Sequence, residues 1–114
     1  MINRIQPGKR MSQAVTHNGI AYLAGQVADT PSASLQDQTR EVLKKIDGLL
    51  AAAGTSKSKL LTIQVLLSNI ADFAAMNEVY DAWIDPANPA TRACYEARLA
   101  DPNLRVEIIA VAAI

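Results

Sequence analysis

Leu104-Arg105-Val106-Glu107-Ile108-Ile109-Ala110-Val111-Ala112-Ala113-Ile114 is the stretch on which the fold turns. It is rich in β-branched residues and carries no helical polarity pattern, so it reads as a strand. From Ile108 to Ala113 both of its faces are apolar, and a strand of that kind must be covered on both sides. Two helices can cover one side. The second requires another apolar surface, and the simplest source is another copy of the chain.

Upstream, Ala14-Val15-Thr16-His17-Asn18-Gly19-Ile20-Ala21-Tyr22-Leu23-Ala24-Gly25 places Asn-Gly between two apolar-rich arms, which predicts a β-hairpin. From Ser34 the period changes. Leu35, Thr39, Val42, Ile46, Leu49, Leu50 and Ala53 recur at three and four, which predicts an amphipathic helix. Ser34 and Asp37 form a capping-box-like start, and Gly54 supplies the stop. Lys59 to Ser68 reads as a largely buried strand. A second helix is expected from about Asp72, with Phe73, Met76, Tyr80 and Trp83 as its buried stripe, ended by Pro86 and Pro89. Thr91 to Leu99 alternates as a strand, with Arg92, Cys94, Glu96 and Arg98 on one face. Asp101-Pro102-Asn103 is a turn before the final strand. The expected order is hairpin, helix, strand, helix, strand, strand: an α+β fold with a mixed sheet and both helices on one face.

A length of 114 residues suits one domain, taken as residues 1–114. Eleven basic and eleven acidic residues cancel, without a basic stripe, and the aromatics are one Trp, one Phe and three Tyr. Nucleic acid is therefore not an expected partner. No segment has the apolar length of a membrane span, and the first ten residues lack an export signal, so the expected compartment is the cytoplasm. One cysteine, Cys94, and one histidine, His17, form neither a disulfide nor a metal cluster, and no cofactor is expected.

Ser12-Gln13-Ala14-Val15, Ala24-Gly25-Gln26-Val27, Asp72-Phe73, Asn77-Glu78-Val79-Tyr80, Pro89-Ala90-Thr91-Arg92-Ala93-Cys94 and Val106-Glu107-Ile108 follow one another in an order that resembles the reactive-intermediate deaminase family, RidA or YjgF-like. The resemblance covers essentially the whole chain. It implies a chorismate-mutase-like fold, a homotrimer with clefts between subunits, and hydrolysis of 2-imino or enamine acids to 2-keto acids and ammonia. It also implies that Arg92 binds the substrate carboxylate, for which a planar guanidinium is suited. The alternative for Arg92 is a surface or interface ion pair. Cys94 is expected to line the pocket, not to act as a nucleophile, and Asn77 to line or support the cleft, its alternative being a helix-surface amide.

Three positions depart from the family pattern. The familiar ending Glu-Ile-Glu-Ala is Glu107-Ile108-Ile109-Ala110 here, which puts Ile109 at the catalytic carboxylate position. Glu107 is two residues away on the same strand face, about 6.5 to 7 Å along it, and is not a simple substitute. Met11 replaces a Tyr, and Ala24 a Ser, so a more apolar pocket is expected. His17 is read as a solvent-facing strand end, and Tyr80 and Trp83 as core. Two functions compete: a deaminase, and a non-catalytic trimeric binder of small carboxylates or 2-keto acids. An endoribonuclease lacks the basic stripe and histidine pair it would need.

Overall fold

A computed structural model describes residues 1–114. Seven strands and two helices follow one another as β1 (Asn3–Pro7), β2 (Ser12–His17), β3 (Ile20–Leu23), β4 (Gln26–Val27), α1 (Leu35–Ala52), β5 (Leu60–Leu67), α2 (Phe73–Trp83), β6 (Thr91–Glu96) and β7 (Val106–Ala113). They form one mixed sheet in the order β1-β2-β3-β7-β5-β6, with β4 pairing to β7 beyond the end of β3. The last strand in sequence is thus central in the sheet, as its two apolar faces require.

The hairpin forms where Asn-Gly placed it. Asn18 and Gly19 both have positive φ, +50° and +76°, the signature of a type I′ turn, and His17 pairs with Ile20 across it. The start of α1 is capped by Ser34 Oγ, which accepts from the Asp37 backbone N–H, and Gly54 with φ +80° lies just beyond the Ala53 cap. Strands β4, β5 and β6 run parallel to one another, since β4 and β5 are both antiparallel to β7 while β5 and β6 pair directly. Their connections, α1 and α2, step across the sheet in one direction. Right-handed crossovers in one direction put both helices on one face, and that is what forms.

The core lies under them. Leu35, Val42, Leu43, Ile46 and Leu50 of α1 and Met76 and Tyr80 of α2 meet Ile63, Val65, Leu67, Ile108, Ala110 and Ala112. Gln38, fully buried, ties three loops to this core. Its Nε2 donates to the carbonyls of Pro31, Ala33 and Asn103, and its Oε1 accepts from the Arg105 backbone N–H.

The structure corrects four expectations. The sheet gains β1 and the two-residue β4, both too polar or too short to show a pattern. The penultimate strand stops at Glu96 and not Leu99, because β5 ends at Leu67, whose carbonyl takes its last bond from the Ala97 N–H. Phe73 and Trp83 do not join the buried stripe of α2, which is Met76, Val79 and Tyr80. Phe73 is 43% exposed and Trp83 half-buried: they are the first and last residues of α2, where Phe73 faces the Arg92 guanidinium and Trp83 turns its indole N–H to Asp47 of α1. None of the helices is long and apolar enough to cross a membrane.

Candidate functional site

Arg92 is the second residue of β6, opposite Ile63 of β5, and therefore points to the helix-covered side. There it meets α2. Its Nη1 donates to Asn77 Oδ1 at 2.7 Å, and its guanidinium carbon lies 4.8 Å from the centroid of the Tyr80 ring and 5.7 Å from that of Phe73. Phe73, Asn77 and Tyr80 stand at i, i+4 and i+7 on one face of the helix, so an amide between two aromatics was the available sign that this stripe holds something polar. The three ion pairs of the chain join Arg40 to Asp37, Lys45 to Asp29 and Arg105 to Asp72. Arg92 is in none of them. A half-buried guanidinium is oriented here by an amide and by ring faces, with its charge left unneutralised.

Cys94 follows on the same face, half-buried against the core. Burial pushes its thiol above the ordinary range, and the neighbouring Arg92 only partly opposes that. A thiol so placed is protonated at neutral pH and is a poor nucleophile. Tyr80 is raised too, by burial first, with Arg92 acting in the opposite direction and Asp81 adding to the rise.

The remaining expected positions lie on the other side of the sheet. Ile109 pairs with Gln64 and Glu107 with Leu66, both on the face that carries no helix. Tyr22 pairs with Val111 while Gln26 pairs with Ile108, so β3 and β4 advance four residues where β7 advances three. The extra residue is a β-bulge at Ala24-Gly25, opposite Ile109. Bulges of this kind re-aim side chains and often border sites. The bulge brings Gly25 under Glu107, whose side chain occupies the place that a Cβ at Gly25 would need. This seat for Glu107 was not legible from the sequence. Ala24 is half-buried and donates its backbone N–H to the Gln13 carbonyl. Met11 is 53% exposed in the turn between β1 and β2 and borders a separate depression with Pro7 and Lys9. His17 is exposed at the strand end, where its Nδ1 lies 3.3 Å from the Met1 carbonyl.

Within one chain, then, Arg92, Asn77 and Cys94 are together, and Ala24, Glu107 and Ile109 are together, on opposite faces. None of the cavities of the single chain is lined by Arg92, Asn77, Cys94 or Ile109. No group of acidic, histidine or cysteine side chains is placed to hold a metal ion.

Comparison with known proteins agrees with the fold. The sequence pattern of the family described as Endoribonuclease L-PSP matches residues 1–114. A RutC family protein from Haemophilus influenzae is 46% identical over 112 residues, covering 97% of each chain. A crystal structure of a YjgF family member from Neisseria meningitidis superimposes with a TM-score of 0.94 at 38% identity, over 99% of this chain and 94% of that one. The chloroplastic protein of Arabidopsis thaliana named Reactive Intermediate Deaminase A is 32% identical over 107 residues, 89% of this chain and 57% of its own length.

Proposed function

We propose that this chain, which belongs to the Endoribonuclease L-PSP family together with the RutC, YjgF and Rid proteins, is a hydrolytic deaminase of small 2-imino or enamine acids. It acts as a homotrimer with its sites between subunits. The observation that carries the reading is Arg92: a half-buried guanidinium without a carboxylate partner, oriented by Asn77, Tyr80 and Phe73. Such a group is prepared for an anion that the chain itself does not supply, and a planar carboxylate is the anion its fork fits.

In this reading the half-site around Arg92 on one subunit faces the half-site around Ala24, Glu107 and Ile109 on the next. Arg92 fixes the carboxylate of the substrate, Cys94 as a neutral thiol and Ala24, Met11 and Ile109 as apolar groups line the pocket, and water adds to the imine carbon. The tetrahedral aminocarbinol that results expels ammonia and leaves the 2-keto acid. Backbone groups at the bulge orient the water, since Ile109 cannot. The neutral charge balance and lone histidine disfavour a nuclease, whatever the family's name.

Ile109 also supports a second reading, in which the same trimer binds 2-keto acids without turnover. The experiment is keto-acid release from a freshly generated 2-imino acid, run beside a calorimetric titration with pyruvate. Arg92→Ala is expected to abolish both signals while light scattering reports an unchanged oligomer, and Arg92→Lys to restore little, because an ammonium cannot make the two-point contact. Undiminished pyruvate binding by Arg92→Ala would show that the pocket lies elsewhere. Binding without release in the parent selects the second reading.

A further inference from the structure

The turn that leads into α2, Ile70–Asp72, is fastened at both ends. At its start the Ile70 backbone N–H donates to Glu96 Oε1 at 3.0 Å, and Glu96 closes β6, the strand that carries Arg92 and Cys94. At its end the Asp72 carboxylate accepts from Arg105 Nη2 through both oxygens, each at 3.1 Å. Arg105 stands just before β7 and is itself fixed. Its backbone N–H donates to Oε1 of the fully buried Gln38 at 2.9 Å, and its carbonyl accepts from the Ser68 N–H at 3.1 Å.

Asp72 occupies the N-cap position of α2, where an aspartate ordinarily accepts from the first N–H groups of its own helix. Here its side chain makes no such bond. That side chain is only 17% exposed, so the carboxylate leaves water for Arg105 and not for the helix, and the pair is unlike an open surface ion pair that orders little. The tie also comes where packing supplies none. Phe73, Ala74 and Ala75 of the first turn are not buried, and the residues that α2 does bury, Met76, Val79 and Tyr80, follow them. Phe73, next to Asp72, turns its ring to the Arg92 guanidinium at 5.7 Å, and one turn further Asn77 Oδ1 accepts from Arg92 Nη1 at 2.7 Å.

We propose that Asp72 and Arg105 are positioning residues for Arg92: their ion pair sets where α2 begins, hence where the Phe73 ring and the Asn77 amide stand, and so the direction in which the guanidinium presents its fork. The consequence for a ligand rests on the reading of Arg92 as the carboxylate anchor. A displacement of about 1 Å at such a group can cost up to about a hundredfold in rate.

Two readouts separate positioning from mere stabilisation. One is the affinity for pyruvate by calorimetry. The other needs no ligand: the pH midpoint of Cys94 alkylation, which Arg92 holds down against the effect of burial. Arg105→Met keeps the bulk and both backbone bonds and deletes the cation, Asp72→Ala deletes the acid, and Arg105→Lys returns a charged donor. Asp37→Asn, which breaks the Arg40–Asp37 pair at the start of α1, is the control. Arg105→Met and Asp72→Ala are each expected to weaken pyruvate binding about tenfold and to move the Cys94 midpoint upward, towards that of Arg92→Met. Arg105→Lys should recover most of both effects and Asp37→Asn should show neither, while near-ultraviolet circular dichroism verifies that each variant is folded. A folded Arg105→Met or Asp72→Ala with the Cys94 midpoint of the parent overturns the proposal. Equal shifts in Asp37→Asn do so too, since the effect would then be a general loss of stability. An Arg92→Met that leaves the midpoint in place would mean that the guanidinium is not held beside Cys94 at all, which also defeats it. A parent that binds no pyruvate, with the midpoints moving as expected, refutes the carboxylate reading and upholds the clamp.

Discussion

The two faces of the sheet are made from the same strands and do different things. Along β7 the residues alternate one by one: Val106, Ile108, Ala110 and Ala112 are completely buried under the helices, while Glu107, Ile109, Val111 and Ala113 are half-exposed on the bare side. From Ile108 onward the two sets are equally apolar, and only one has been given a cover by this chain. Tyr22, Tyr95 and Leu61 extend the apolar character of the bare side, each more than two-fifths exposed. The covered face is what makes a chain of this length fold. The bare face is surplus to folding, and the proposed association of copies would account for its apolar residues.

The comparison is broken most directly by truncating neighbours on the strand. Ile108→Ala on the covered side is expected to cost about 2–5 kcal/mol of unfolding free energy, the usual range for a buried isoleucine in a core that cannot collapse. Val111→Ala on the bare side should cost much less, and its cost should depend on protein concentration. Urea titrations at two protein concentrations read both quantities. Equal, concentration-independent losses would mean that the two faces play the same part.

The next largest effect belongs to assembly. Light scattering of the parent in dilute neutral buffer is expected to give three times the chain mass, and Val111→Asp to give a folded, smaller species, because an ionised carboxylate at an apolar interface is costly to bury. A parent that remains a soluble, folded monomer would remove both the trimer and the shared site.

Much of this division could be read in the sequence. The unbroken apolar run from Ile108 to Ala113 announced a strand with two apolar faces, and Asn18-Gly19 and Ser34 fixed the hairpin turn and the start of α1, because local chemistry decides those features. The rest is set by tertiary structure. Gln38 has no sequence sign of being the buried tie between three loops, and the Ala24-Gly25 bulge exists only through register with β7. Arg92, Asn77 and Cys94 were expected near one another and are. That Ile109 lies on the opposite face of the same sheet follows from the pairing of β5 with both β6 and β7, which no single strand pattern reveals.

Ile109 sharpens the comparison from the side of chemistry. If the carboxylate familiar at this position is needed to place the attacking water, Ile109→Glu should raise turnover of 2-iminopropanoate by an order of magnitude or more. The new acid would sit among apolar groups, so its pKa should rise, the rate should depend steeply on pH, and the variant should unfold more easily. Rates of keto-acid release across pH, beside a thermal melt, test the pair of effects. A parent already fast, with nothing added by Ile109→Glu, would show that backbone groups or another side chain hold the water.

The smallest expected effect is at Cys94, on the covered side but at its edge, where cover is incomplete. Burial raises the thiol pKa and Arg92 opposes the rise. The folded chain therefore favours the protonated thiol. Any stability this contributes is present below the pKa of an unfolded cysteine and is lost as pH climbs through the raised folded value. Because Cys94 is the only cysteine, the rate of alkylation by iodoacetamide, followed by mass, isolates it. The midpoint of rate against pH is expected above that of a free thiol, and Arg92→Met, which keeps the bulk and deletes the charge, should move it further up. A midpoint below the free thiol would mean that Arg92 outweighs burial. Cys94 would then be a thiolate at neutral pH, and its place as a passive wall of the site would have to be exchanged for that of a nucleophile.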